Sequence, residues 1–377
     1  MSTPQTTPGT FAELALGPAR DLAARTRAWT DRNVLPSRPS VAWTTPSVVV
    51  LDHPLMELRE FRLPGERFNT KRARARKSPA RPFLLVAPEV NGANITDYGP
   101  GQSLVQAALH AGFPQVFVVA WSSATAATRD GTIGDSIRAI EAAIDRVGAP
   151  VHLAGICQGG WESAIVAARR PELVASLTTI AAAIDFRAGD CALTDIVDAM
   201  PQSVYEGMVA LGGGVMRGPF LNAGFDALSV WDRLVVQPLR DWNRLDDERY
   251  LERQALFHRW YDPEKDLPGP MYLRVVDDLF RKNLLVQRRF VMEGDDEPVD
   301  LARIACPLAM IAGSRDAISP PPQVFALGEH ASSEHVLRRS WDAGHVGVSI
   351  GGKVLRDGWP DVFAWLRRFD PQPKDVA

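Results

Sequence analysis

The chain carries short apolar runs separated by stretches in which apolar residues recur at helical spacing. Each apolar run is long enough for a buried strand, and a helical stretch follows most of them. The predicted buried strands are residues 83–87, 116–121, 151–154, 177–184, 307–313 and 335–338. The clearest predicted helices are residues 103–111, 134–147, 161–170 and 359–369. This alternation predicts an α/β fold with a mostly parallel sheet flanked by helices.

The alternation stops between residues 186 and 298. This stretch is rich in charged and aromatic residues, and its periodicity is helical where it can be read, as over Met271 to Asn283. We therefore predict a helical cap at 186–298, inserted into a core formed by 46–185 and 299–377. An apolar cap of this kind excludes water from a site and can hold an acyl chain.

The start of the chain is predicted to lie at the periphery. Residues 1–45 form a peripheral segment that contains an amphipathic helix over 11–33. Two apolar stretches, 48–51 and 58–63, then predict a hairpin at the edge of the sheet.

The chemistry is concentrated where the strand at 151–154 ends. The sequence there reads Gly155-Ile-Cys157-Gln-Gly159-Gly160 and passes directly into a predicted helix. This is the nucleophile-elbow pattern, with Cys in the place usually held by Ser, and it needs small residues where the backbones crowd. The helix start also favours a thiolate and a developing oxyanion. The alternative is a buried structural cysteine in a glycine-rich turn.

An elbow of this kind needs hydrogen-bond donors for the oxyanion. In α/β-hydrolase folds, one backbone N–H comes from the residue after the nucleophile and another from the loop after an earlier core strand. Here these are the N–H groups of Gln158 and of Val90 or Asn91, in the polar loop after the strand at 83–87.

Two further residues complete a candidate triad with Cys157. Asp316 follows the strand at 307–313, and His345 lies in the loop after the last strand, which is the chain order of α/β-hydrolases. His345 would take the thiol proton or form an ion pair with the thiolate, and Asp316 would fix its tautomer. Asp342 is a rival acid, but it lies too close to His345 in sequence to reach behind the ring. The other histidines precede the elbow or lie in the cap, a helix or a strand: His53, His110, His152, His258, His330 and His335.

Composition narrows the function classes. The chain has 377 residues, a formal net charge of -3 and three widely separated cysteines. It therefore has no global charge favouring nucleic acid, no disulfide framework and no metal motif. Without a leader-like start or a long apolar run, we expect a cytoplasmic protein with no membrane span, where a free thiol persists. The basic run Lys71 to Lys77 could hold coenzyme A phosphates or an anionic partner, but a solvated loop is the favoured interpretation.

The use of Cys as the nucleophile also bears on the reaction. A thiolate exchanges acyl groups with a thioester at little free-energy cost, and the acyl-Cys stays activated for transfer to an alcohol. Cys therefore favours an acyl-CoA-type donor and a hydroxyl acceptor.

At these residues the chain resembles the polyhydroxyalkanoate synthase and intracellular depolymerase superfamily, especially the class III synthases. The similar stretches are the elbow, Ile184-Asp-Phe186, Ala312 to Pro320 and Gly344 to Gly347. The resemblance implies an α/β-hydrolase fold in which Cys157 carries the acyl chain, His345 activates the thiol and the incoming hydroxyl, and Asp316 supports His345. Ala120 departs from the Asp common in synthases, and the cap differs from theirs.

The function predicted is Cys-dependent transfer of 3-hydroxyacyl groups from coenzyme A thioesters to a hydroxyl acceptor. The alternatives are a polyhydroxyalkanoate depolymerase or thioesterase, and a non-catalytic granule-associated protein with the same fold. Coenzyme A thioester would be a substrate, and no cofactor or metal is implied. The partners expected are a 3-hydroxyacyl thioester or polyester, with a homodimer or second subunit left open. The resemblance adds association with polyester granules.

Overall fold

The computed structural model of the chain describes residues 22–27, 42–66, 68, 80–148, 150–228, 236–261 and 265–371. Residues 22–27 are helical, and the rest of the helix predicted at 11–33 lies outside the described residues. The basic run Lys71 to Lys77 also lies outside them.

A single large sheet runs through the molecule. Its eight strands are β1 Ser47–His53, β2 Met56–Phe61, β3 Phe83–Val86, β6 Val116–Trp121, β7 Val151–Ile156, β8 Val174–Ile180, β11 Leu308–Gly313 and β12 Val336–Trp341. They lie in the order β1-β2-β6-β3-β7-β8-β11-β12. β1 and β2 form an antiparallel hairpin at one edge, and the remaining six strands are parallel to one another. The predicted parallel sheet and edge hairpin are confirmed.

The strand boundaries were predicted less accurately than the strands themselves: the last strand, expected at 335–338, is β12 and ends at Trp341. The strand expected at 177–184 is β8, which begins three residues earlier and ends at Ile180. Residues 181–184 are nevertheless buried, and Ala181 has a φ of 46°. The residues on both sides of the end of β8 are apolar, because all of them are buried. The composition therefore does not show where the extended backbone ends.

Helices cover both faces of the sheet. Strand residues alternate between the two apolar layers, with Leu84 and Val86 facing one and Phe83 and Leu85 the other. The core helices are Leu104–His110, Ile133–Val147, Gln158–Arg169, Pro321–Phe325, Leu327–His330, Gly347–Ile350, Gly352–Asp357 and Trp359–Arg367. Thr132 begins the second of these with a capping box that its side chain forms with Asp135.

The stretch predicted as a cap is mainly helical in its described residues, and it also contains turns and the two-residue strands β9 Val215–Met216 and β10 Leu267–Pro268. Its helices are Ala192–Ala199, Gln202–Leu211, Gly218–Ala227, Gln237–Asn243, Glu248–Tyr261 and Gly269–Arg274, the last continuing as a π-helix over Val275–Arg281. Asn283 links its end to the core, because its side chain accepts a hydrogen bond from Phe186 N–H at 3.1 Å and donates one to Asp185 at 2.7 Å. Among the described residues, no helix has the length and apolar character needed to cross a membrane.

A short two-stranded ribbon lies near the loop after β3. It pairs β4 Asp97–Gly99 with β5 Gln102–Ser103. The buried Asp97 carboxylate holds it by accepting hydrogen bonds from Thr45 and Ser103 at 2.6–2.7 Å. This ribbon helps to fix the segment that leaves the sheet between β3 and the next helix.

Candidate active site

Cys157 lies in a strained turn at the carboxyl end of a central strand. It follows β7 directly and precedes the helix Gln158–Arg169, which we call the elbow helix. Its φ of 53° and ψ of -119° are rarely adopted by a residue with a side chain. The turn is closed by hydrogen bonds from Cys157 N–H to Ile180 O at 2.8 Å and from Gly160 N–H to Cys157 O at 2.9 Å. The structure therefore places Cys157 in the geometry predicted from its sequence pattern.

The glycines around Cys157 are required by close backbone contacts. A Cβ on Gly155 would overlap the backbone of Gly159, and a Cβ on Gly159 would overlap the carbonyl group of Val86 in β3. A Cβ on Gly160 would overlap that of Ala182 after β8. The elbow helix consequently packs against β3 and the segment after β8 at distances that only glycine permits.

His345 and Asp316 meet at the same edge of the sheet. Asp316 follows β11 and His345 follows β12, and carboxyl ends of parallel strands share one edge. His345 Nδ1 lies 2.8 Å from Asp316 Oδ2. The other oxygen of Asp316 accepts hydrogen bonds from the backbone N–H groups of Ile318 at 2.8 Å and Ser319 at 2.9 Å. The carboxylate is buried and oriented by three partners, so it holds the imidazole in one orientation.

The thiol of Cys157 is the second partner of the His345 ring. Burial disfavours the imidazolium, but the charge of Cys157, the hydrogen bonds to Asp316 and Cys157, and the charge of Asp316 together raise the pKa of His345 to about 10. Nδ1 is occupied by Asp316, so Nε2 is the ring atom that faces the thiol. The ring is therefore placed where it can accept the proton of the thiol.

The loop that carries Val90 and Asn91 is fixed at both ends by tryptophan side chains. Trp121 Nε1 donates to Ala87 O at 2.9 Å, and Trp260 Nε1 donates to Gly92 O at 2.9 Å. Between these points Asn91 is buried with a φ of 64°. Gln158 begins the elbow helix, so its backbone N–H is among the first-turn donors without a partner inside the helix.

A pair of buried carboxyl groups joins this loop to the elbow helix. Glu89 and Glu162 are in direct side-chain contact, and their side chains are almost completely inaccessible to solvent. Burial raises the pKa of Glu89 to about 7, and burial together with the neighbouring Glu89 raises that of Glu162 well above its usual range. Sequence reasoning did not assign either residue a role. The available signal was Glu162, which is the single charged residue in the first turns of the elbow helix.

The rival residues lie elsewhere. Asp342 is exposed and pairs with Arg315 at 2.7 Å rather than with His345. His152 does lie between Ser176 at 2.7 Å and Asp370 at 3.1 Å, which resembles a triad by composition. However, His152 and Ser176 are fully buried near the amino ends of β7 and β8, so they face the core and cannot meet a substrate.

Comparison of the structure and the sequence with known proteins indicates the class of protein. A carboxylesterase structure from Nitrososphaera gargenis superposes with a TM-score of 0.50 at 15% identity, covering 86% of this chain and 99% of that one. The chain is 26% identical over 357 residues to "Poly(3-hydroxyalkanoate) polymerase subunit PhaC" of Haloferax mediterranei, covering 92% of this chain and 69% of that protein. It is also 26% identical over 291 residues to the protein of the same name from Allochromatium vinosum, covering 76% of this chain and 80% of that protein. The chain therefore has an α/β-hydrolase fold, and its sequence is similar to those of proteins named as poly(3-hydroxyalkanoate) polymerase subunits.

The family can be stated more narrowly. The model of a family described as "Protein of unknown function (DUF3141)" matches residues 67–356. This match spans most of the chain, from the segment before β3 to the helix Gly352–Asp357. The chain therefore belongs to that family.

Proposed function

We propose that Cys157, His345 and Asp316 form a catalytic triad that transfers 3-hydroxyacyl groups from a coenzyme A thioester to a hydroxyl acceptor. The observation that carries the proposal is the strained Cys157, whose thiol contacts a histidine held 2.8 Å from a buried aspartate. The relatives named as poly(3-hydroxyalkanoate) polymerase subunits support the choice of a hydroxyacyl substrate.

The first half-reaction forms the acyl-enzyme. The Cys157 thiolate attacks the thioester carbonyl, and the oxyanion is stabilised by the backbone N–H of Gln158 and that of Val90 or Asn91. The bond between the carbonyl carbon and the coenzyme A sulfur breaks as the intermediate collapses. The leaving thiolate takes the proton from the His345 imidazolium, which leaves a neutral ring beside acyl-Cys157.

The second half-reaction transfers the acyl group to an alcohol. The neutral His345 takes the proton from the acceptor hydroxyl as its oxygen attacks the acyl-Cys157 carbonyl. The carbon–sulfur bond to Cys157 breaks, and the thiolate–imidazolium pair is restored. Asp316 keeps Nδ1 protonated throughout, so Nε2 remains the atom that exchanges protons.

The stretch 186–298 serves in this proposal as a cap over the site. Trp260, Ile95, Tyr98 and Ile350 form an apolar cluster, and Val346, the neighbour of His345, packs against it. Trp260 also binds the loop that carries the proposed oxyanion donors. An apolar wall at this position keeps water from acyl-Cys157 and suits a hydrocarbon-rich acyl chain.

The test is to incubate the protein with 3-hydroxybutyryl-CoA and identify the acyl product beside the released coenzyme A. Oligomer or polymer is expected from wild type and Cys306→Ala, and neither should form with Cys157→Ala, whose folding is checked by circular dichroism. Free 3-hydroxybutyrate as the only product would make the protein a hydrolase. An active Cys157→Ala variant would overturn the proposed nucleophile.

A further inference from the structure

The carboxyl groups of Glu89 and Glu162 come from the two segments that carry the proposed oxyanion donors. Glu89 directly precedes Val90 in the loop after β3. Glu162 lies one turn into the elbow helix and accepts a hydrogen bond from the side chain of Gln158 at 3.0 Å. Contact between the two carboxyl groups therefore joins the two halves of the oxyanion hole.

The surroundings show that the pair must hold a proton. Two carboxylates in contact cannot both ionise in a site that excludes water, because each charge penalises the other. Glu162 Oε2 is buried and has no hydrogen-bond partner among the described residues unless one carboxyl group donates to the other. A proton shared between an oxygen of Glu89 and Glu162 Oε2 satisfies that atom and turns repulsion into a hydrogen bond.

The groups that face the pair come from several elements. Ser136, on the helix Ile133–Val147, donates to Glu89 at 2.8 Å. Lys265 supplies the nearby positive charge and binds the carbonyl oxygen of Trp121. The charge of Cys157 acts on Glu162 from the elbow. These neighbours support a pair in which one group is a carboxylate beside Lys265 and the other is a neutral acid.

We propose that Glu89 and Glu162 act as a proton-sharing pair that positions both halves of the oxyanion hole. The inference rests on the proposed function for the identity of the oxyanion donors. Neither side chain touches the reacting atoms, so both are positioning residues. Their effect on the reaction passes through the backbone N–H groups of Val90 or Asn91 and of Gln158.

The first test compares Glu162→Ala and Glu162→Gln with wild type. The assay is the burst of p-nitrophenolate released when p-nitrophenyl butyrate acylates Cys157, which needs no coenzyme A chemistry. Glu162→Ala removes the contact with the loop, and the burst rate constant should fall about 10- to 100-fold, since a displacement of about 1 Å can cost that much. Glu162→Gln can still donate a hydrogen bond to the Glu89 carboxylate, so it should recover most of that loss.

A matched control separates positioning from general stability. Glu60 is also a buried carboxyl residue, but it pairs with Arg62 in the edge hairpin, away from the elbow. Glu60→Ala should lower the melting temperature without lowering the burst rate constant of the folded protein. If Glu162→Ala lowers only the melting temperature, the pair is merely structural and the proposal fails.

The second test reports the proton directly and requires no activity. At about pH 8.5 Glu89 is ionised, because its pKa is about 7. The infrared spectrum of wild type at that pH should contain the C=O stretch of a protonated carboxylic acid, and this band should be absent from Glu162→Gln. If no such band distinguishes them, both groups are ionised and the proposal is overturned. Failure of wild type to transfer hydroxyacyl groups would instead count against the proposed function, and would leave the burst and infrared results to decide the role of the pair.

Discussion

The proposed ion pair between Cys157 and His345 leads to a prediction about Asp316→Asn. The rise in the pKa of His345 from 6.5 to about 10 corresponds to about 5 kcal/mol in favour of the imidazolium. Asp316 supplies part of this through its charge and the 2.8 Å hydrogen bond to Nδ1. A hydrogen bond to a charged group contributes about 1.5–3 kcal/mol, so replacing the charged partner with a neutral amide should weaken the proposed ion pair by up to roughly 10- to 150-fold.

The assay is the rate of Cys157 alkylation by iodoacetamide between pH 5 and 8. If the proposed ion pair forms, the wild-type thiol should react rapidly even at the acidic end. In Asp316→Asn the rate at the acidic end should fall at least about tenfold. Cys306 serves as an internal reference, because burial raises its pKa to about 12 and it should react slowly in both proteins.

Asp342→Asn is the matched control for this experiment. Asp342 lies in the same loop as His345, but it is exposed and pairs with Arg315. Its replacement should leave the alkylation profile of Cys157 unchanged. Equal rates for wild type and Asp316→Asn would refute the role of Asp316, and equally slow labelling of Cys157 and Cys306 would favour a non-catalytic protein.

Three other predictions concern stability. Because the folded state raises the pKa of Glu89 from 4.5 to about 7, its contribution is present at low pH and is lost as the pH rises through about 7. The difference in free energy of unfolding between wild type and Glu89→Gln, measured by denaturant titration, should therefore change by up to about 3 kcal/mol between pH 4.5 and about 7. Gly159→Ala should lower the free energy of unfolding by at least about 2 kcal/mol, because the added Cβ would overlap the backbone of β3. Gly207→Ala, on an open helix surface, should stabilise the protein slightly. Equal effects of the two substitutions would contradict the close packing of the elbow. Asn283→Ala should lower the free energy of unfolding by about 1–3 kcal/mol, because it removes the hydrogen bonds of Asn283 to Asp185 and to the buried N–H of Phe186. The 186–298 stretch should then become more sensitive to protease. Unchanged proteolysis would argue against Asn283 as the link between this stretch and the core.

The elbow illustrates what a local sequence pattern can predict. The small residues at 155 and 159 predict close backbone contacts on both sides of Cys157, because the backbones crowd at a strand-to-helix turn. The strand ends were harder to predict, as β8 shows. A run buried on all sides stays apolar after the extended backbone has ended, so its composition does not mark the boundary.

By itself, the sequence determined the α/β class, the chain order of Cys157, Asp316 and His345, and the place of each after a strand. These features depend on local periodicity and on the rule that parallel strands end at one edge. Only the tertiary structure decided that Asp316 Oδ2 lies 2.8 Å from His345 Nδ1, and that Glu89 lies against Glu162. Such contacts join residues far apart in the chain, and their geometry depends on strand register and helix packing, which no local pattern encodes.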